Sequence, residues 1–182
     1  MILTEASLRE PLRQTLATRA RRTNGYGVAS AVLLPLFEEN GETRLWLLRR
    51  AEGLRKHAGQ VALPGGKRDP DDASPIDTAL READEEIGLS RSAIDVLGQL
   101  DDFGTPSGFN VTPVVGWMSA GFVATPSDAE VARVFSVPLS LFFGKARGFF
   151  PRIGHDHDGE FVWGITLAIV RSLLEVIRTM DI

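Results

Sequence analysis

Three carboxylates, Glu82, Glu85 and Glu86, stand close together in the 182-residue chain. At about 100° per residue they fall within an arc of roughly 100° on a helix. Ile76, Ala79, Leu80, Ala83 and Ile87 fill a neighbouring arc, which is the core face of an amphipathic helix. The glutamates therefore border the buried stripe. Like charges at these spacings cost a helix about 0.2–0.5 kcal/mol per pair. A hard cation reverses that sign, and an oxygen-only ligand set suits Mg²⁺, Mn²⁺ or Ca²⁺ better than zinc or copper. Arg81 stands one turn before Glu85, where it can hold that carboxylate in one rotamer. Spacing alone leaves a solvated acidic face as the ordinary alternative.

The elements that must position these residues are legible nearby. Ser74 has the character of an N-cap, with Pro75 at the first helical position and Asp77 three residues after the cap. Gly88 supplies the stop. Ahead of the helix, a short strand at residues 61–63 ends on Pro64-Gly65-Gly66 and gives way to an acidic loop ending at Asp72. Glycines there let the backbone approach a ligand or metal closely. Further out, Leu8, Leu12 and Leu16 predict a helix over residues 4–20, within an N-terminal segment 1–22. Strands are predicted at 27–36 and 44–49 around an Asn40-Gly41 hairpin turn, and at 96–102 and 110–118 around a loop at 103–109. A turn at 125–128 and the run 130–137 lead to a short helix near 139–143. A hairpin of 149–153 with 160–163 precedes a C-terminal helix over 164–180. Strands and helices mix without strict alternation, so the class is α/β or α+β with a mixed sheet. With no repeat and no linker, residues 1–182 read as a single domain.

The net charge of −4 without a dense basic stripe argues against a nucleic-acid binder. The chain has no cysteine, which removes thiol chemistry and fits a cytoplasmic setting. No signal-peptide pattern precedes residue 22, and the apolar stretch 161–177 is short for a membrane span and broken by Arg171 and Glu175. Self-association into a homodimer is left open.

Read as one string, Gly66-x5-Asp72-x8-Arg81-Glu82-Ala83-Asp84-Glu85-Glu86-Ile87-Gly88-Leu89 resembles the Nudix box, G-x5-E-x7-R-E-U-x-E-E-x-G-U. The second half matches at every defined position; the first has Asp72 for Glu and one extra residue before Arg81. The resemblance implies an α/β/α sandwich with a mixed sheet and a hydrolase of nucleoside diphosphates linked to another moiety. It implies that Glu82, Glu85 and Glu86 bind Mg²⁺ or Mn²⁺ with a backbone contact from Gly65, Gly66 or Lys67, of which Gly66 is favoured. Arg81 and Asp72 would support that shell, and Glu82, Glu85 or the loop acid Glu130 would take the proton from water.

Upstream, Arg50-Ala51-x3-Arg55-x3-Gly59-x3-Leu63-Pro64-Gly65-Gly66 resembles the segment preceding the box in coenzyme A pyrophosphatases, and Thr105–Phe109 and Val162–Thr166 look like that subfamily too. Arg50, Arg55, Lys56 and His57 form a local basic patch on an acidic chain, suited to the phosphates of coenzyme A. Ser107 joins them as a candidate substrate contact. The expected substrate is therefore a small nucleotide, coenzyme A or an acyl derivative, cleaved to 3′,5′-ADP and 4′-phosphopantetheine. ADP-ribose, dinucleotide polyphosphates and NADH are alternatives, and a non-catalytic nucleotide-sensing module is the alternative of another class. Phe109, Phe142 and Phe143 are candidates to line the acyl end, although aromatic residues more often serve the core. The tract His155-Asp156-His157-Asp158 precedes Gly159 and reads as a hairpin turn rather than a metal tract.

Overall fold

The computed structural model describes residues 3–54, 57–119, 121–149 and 152–180. Thr4 caps α1 (Glu5–Thr18), its hydroxyl accepting from the Ser7 N–H while the Ser7 hydroxyl accepts from the Thr4 N–H. β1 (Val28–Glu39) turns through Asn40 and Gly41, at φ 53 and 76°, into β2 (Glu42–Arg50). Two positive φ angles are what a tight hairpin of this hand requires. β1 and β2 pair only between Leu36–Glu39 and Glu42–Leu45. Beyond that point each finds another partner: β3 (Val61–Ala62) lies on β2, and β4 (Gly65–Lys67) lies on β1. Pro64 and the glycines thus sit where the two strands diverge.

α2 (Pro75–Ile87) follows, then β5 (Ile94–Gln99), β6 (Phe103–Gly104), β7 (Phe109–Met118) and β8 (Val131–Pro138). A 3-10 turn at Leu139–Phe143 leads to a small sheet of β9 (Arg147–Phe149), β10 (Arg152–His157) and β11 (Glu160–Trp163), and α3 (Gly164–Arg178) closes the chain of elements. In the larger, 8-stranded sheet β1 and β7 are parallel, in register from Val28↔Phe109 to Leu36↔Trp117. Every other pairing is antiparallel.

Side-chain alternation along the strands sorts the core into two layers. Ala31, Leu33, Leu48 and Val114 pack with Ala79, Leu80, Ala83 and Ile87 of α2. Leu34, Leu36, Leu45, Leu47, Val115 and Trp117 pack with Leu8, Leu12 and Leu16 of α1 and Leu173, Leu174 and Ile177 of α3. The result is the α/β/α sandwich with a mixed sheet. Among the described residues, no helix is long and apolar enough to cross a membrane.

Three local features differ from the sequence reading. β4 and β6 are added strands whose short, glycine-containing segments carry no alternating pattern. β5 starts and stops earlier than predicted, because Asp101 and Asp102 leave the sheet to bind Arg19, Arg21 and Arg22. The predicted strand at 149–153 is divided between β9 and β10, and β10 carries His155 into the Asp158-Gly159 turn, at φ 50 and 79°. Phe142 belongs to the core, with Phe109 and Phe143 packed against it.

The α2 boundaries match their sequence signals. The Ser74 hydroxyl accepts from the Asp77 N–H at 3.2 Å and donates to the Asp77 carboxylate at 2.6 Å. Gly88 adopts φ 71° and donates its N–H to Asp84 O, while Leu89 N–H reaches Ala83 O. Ser74→Ala is expected to lower stability by about 1 kcal/mol, the usual worth of such a cap, as a shift of the urea unfolding midpoint at constant slope.

Candidate active site

The helix turns its glutamates into three different settings. Glu86 is buried, 3% exposed; one oxygen accepts from the Gly65 N–H at 2.9 Å and the other from Arg50 Nη1 at 3.4 Å. Glu82 is mostly covered, and Glu85 stands largely in solvent. Both accept from one nitrogen, Arg81 Nη1, at 3.0 and 3.1 Å. The three carboxylates do not converge on one point, and among the described residues no group of three acidic or histidine side chains is gathered in a metal-holding arrangement.

Arg81 organises the helix and the loop before it. Its Nε and Nη2 donate to the two oxygens of Asp72 at 3.1 and 2.9 Å, and Nη2 also reaches Lys67 O at 3.0 Å. Asp72 is buried, 6% exposed, and further accepts from the Asp69 N–H and the Thr78 hydroxyl, both at 2.9 Å. The Arg81 guanidinium, reinforced by these donors, holds the Asp72 carboxyl far below the usual range. The shorter Asp side chain at the irregular position of the motif is thus fully used, as a partner of Arg81.

Burial acts the other way on the helix. It pushes Glu86 up to about 7, against the Gly65 N–H and Arg50, with the charges of Glu82 and Glu130 adding to the rise. Glu82 is also raised, first by burial, with Glu85 and Glu130 contributing. Glu130 is exposed and shares the field of Glu82 and Glu86. Its loop is tied to the end of α2 by Thr125 N–H to Ile87 O and Ser127 N–H to Glu86 O, both 2.9 Å. The Ala51 N–H donates to Glu130 O at 2.9 Å, so the end of β2, the β8 approach and α2 meet here.

Of the basic patch, Arg50 enters this site through Glu86. Arg55 and Lys56 lie outside the described residues. His57 is exposed at φ 57° and pairs its Nδ1 with Gln60 Oε1 at 3.0 Å. Ser107 is exposed in the loop between β6 and β7, its hydroxyl 3.0 Å from that of Thr105. The sequence did not point to the Thr125 and Ser127 contacts, which are made by backbone groups and leave no residue signature.

The NUDIX domain family model matches residues 27–138. The chain belongs to the Nudix family. It is a hydrolase acting on pyrophosphate bonds. The Nudix hydrolase NudL of Yersinia enterocolitica, named as uncharacterized, is 43% identical over 159 residues, covering 82% of this chain and 81% of its own. NudL of Yersinia pestis is 44% identical over 156 residues, covering 80% and 78%. Solved structures share the fold: the Nudix hydrolase RenU of M. smegmatis aligns with TM-score 0.61 at 21% identity over 87% of this chain and 98% of its own. The NUDIX domain of Shewanella oneidensis NrtR, complexed with ADP ribose, aligns with TM-score 0.55 at 17% identity over 88% and 91%.

Nudix hydrolases generally use divalent cations, and the donor chemistry of this Nudix helix, though not the present arrangement of its side chains, suits one. The donors are all oxygens, which suits a hard ion. The charges of Glu82 and Glu130 raise Glu86, and those of Glu85 and Glu130 raise Glu82, a repulsion that a cation relieves. A Cβ added at Gly66 would collide with the Glu82 carboxylate, so only glycine lets this backbone lie against that acid. Within the Nudix motif, Asp72 also contributes to stability. Its lowered folded pKa means that this contribution is present above the unfolded value, about 4, and is lost as pH falls towards the folded one. Asp72→Asn is expected to unfold more easily than native protein at pH about 7, with the gap in denaturant midpoint closing as pH drops below about 4.

Proposed function

We propose that this Nudix hydrolase cleaves the diphosphate of coenzyme A or its acyl derivatives, giving 3′,5′-ADP and (acyl-)4′-phosphopantetheine. The observation that carries this reading is the contact of Arg50 with Glu86 at 3.4 Å. Arg50 opens the segment that resembles coenzyme A pyrophosphatases, so that segment enters the same site as the Nudix carboxylates. Arg50 keeps a buried Nε without a hydrogen-bond partner, so its guanidinium has donor capacity that the chain does not use. Arg55, Lys56, His57 and Ser107 complete the proposed substrate contacts.

Glu82, Glu85 and Glu86, with the Gly66 backbone, would hold Mg²⁺ or Mn²⁺. When bound, such a cation neutralises the diphosphate and makes water more acidic. The chain's own part is positioning. The Gly65 N–H and Arg50 fix Glu86, Arg81 fixes Glu82 and Glu85, and the glycine backbone brings β4 against the acids. Water adds across the P–O–P bond: one P–O bond forms, one breaks, and a proton leaves the attacking water. We assign that proton to Glu130, the exposed acid that shares the field of Glu82 and Glu86. Glu82 and Glu85, engaged by Arg81, are the alternative acceptors.

Incubation with coenzyme A, ADP-ribose, NADH and diadenosine polyphosphates, each with Mg²⁺ or Mn²⁺, followed by mass analysis, tests the substrate. The expected products are 3′,5′-ADP and 4′-phosphopantetheine; cleavage of ADP-ribose with coenzyme A untouched contradicts the reading. No turnover of any diphosphate favours the sensing module instead. In the same assay Glu86→Gln, which keeps an acceptor for Gly65, is expected to lower kcat by about a hundredfold or more, with an unchanged circular dichroism spectrum. Glu130→Gln is expected to lower kcat by about 10²–10⁴-fold, the range of general-base catalysis.

A further inference from the structure

On the other face of β2 a buried acid holds more positive charge than it needs. Glu160, the first residue of β11, has 4% of its side chain exposed, and its Oε1 accepts from Arg49 Nη1 at 3.1 Å and from Arg133 Nη1 at 3.0 Å. One arginine suffices to neutralise a buried carboxylate. The second leaves the cluster with a net positive charge and two guanidiniums repelling each other across a single oxygen. Both keep access to solvent, at 39% and 45% side-chain exposure. Arg49 and Arg133 are direct cross-strand partners on β2 and β8. Arg133 also lies over the Phe135 ring at 5.4 Å, which orients its plane. The Arg49 Nε is buried with no hydrogen-bond partner. Two oriented, under-neutralised guanidinium forks match a dianion such as a phosphate monoester.

The position of this pair relates it to the active site. Successive strand residues point to opposite faces, so Arg50 reaches Glu86 while its neighbour Arg49 reaches Glu160. The two anion-seeking sites therefore flank one strand end, from which the segment 51–59 departs. Coenzyme A carries its diphosphate and its phosphate monoester on two sides of one ribose. We propose that Arg49 and Arg133 bind the phosphate monoester of the substrate nucleotide and so select phosphorylated over unphosphorylated ribose. This inference rests on the coenzyme A reading and names the residues that would enforce it.

The test compares coenzyme A with 3′-dephospho-coenzyme A for native protein, Arg49→Gln and Arg133→Gln. Each single variant leaves Glu160 one arginine, and retained folding is checked by thermal unfolding. Native protein is expected to favour coenzyme A in kcat/KM by roughly tenfold or more, and each variant to bring that ratio towards unity. A ratio that the substitutions leave unchanged, including an equal loss on both substrates, overturns the inference while the coenzyme A reading stands. Calorimetric binding of 3′,5′-ADP against 5′-AMP separates the two ideas. If coenzyme A is not cleaved but 3′,5′-ADP binds more tightly and the variants abolish that preference, the function reading falls and the phosphate site stands. Equal binding of the two nucleotides by native protein overturns the phosphate site.

Discussion

Arg81 places one positive charge among Asp72, Glu82 and Glu85, and the geometry of the site depends on how that charge is shared. Two of its nitrogens form a fork on Asp72, which is buried and anchored by Asp69 and Thr78. The third nitrogen reaches both Glu82 and Glu85, and the bond to Lys67 O binds β4 to the same group. Loop, strand and helix are thereby joined through a single side chain. Its planar set of donors is needed, since an ammonium group offers no comparable fork. A buried carboxylate deprived of its partner costs several times what an exposed one does.

The sheet supplies the other half of the arrangement. Because β1 and β2 pair only from Leu36 to Glu39 and from Glu42 to Leu45, the gap beyond admits β3 and β4, and the Pro64–Gly66 corner arrives beside α2. The Gly65 N–H is then free to bind Glu86 rather than a neighbouring strand. Core packing of Ala79, Leu80, Ala83 and Ile87 against β1 and β7 fixes the rotation of the helix, which leaves Glu86 inside, Glu82 at the margin and Glu85 outside. The acids are graded in burial by the same amphipathic pattern that folds the helix.

Much of this was legible from residue order. The α2 caps, the Asn40-Gly41 turn and both halves of the sandwich rest on local signals: capping hydroxyls, left-handed turn residues and apolar periodicity. The family followed from the Arg81–Leu89 string. What the string could not convey was partnership across the chain. Arg50 read as a contact for phosphate, yet it also carries Glu86, a residue far along the sequence. Asp72 looked like a departure from the motif, and its burial under Arg81 is a tertiary fact. Arg49 and Arg133 carry no signal in residue order, because the acid that unites them lies on β11. The short strands β4 and β6 were silent for another reason: backbone pairing by glycines leaves no side-chain alternation to read.

The Nudix helix and the Gly66 backbone are proposed to hold the catalytic cation together. Titrating Mn²⁺ into native protein and Gly66→Ala, while following free Mn²⁺ by electron paramagnetic resonance, tests this. The nearest atoms to the added methyl group belong to the flexible end of Glu82, so the fold should persist while the carboxylate is displaced. Native protein is expected to take up Mn²⁺ and Gly66→Ala to bind it at least about tenfold more weakly, with an unchanged circular dichroism spectrum. Native-like Mn²⁺ affinity in the folded variant would contradict the account.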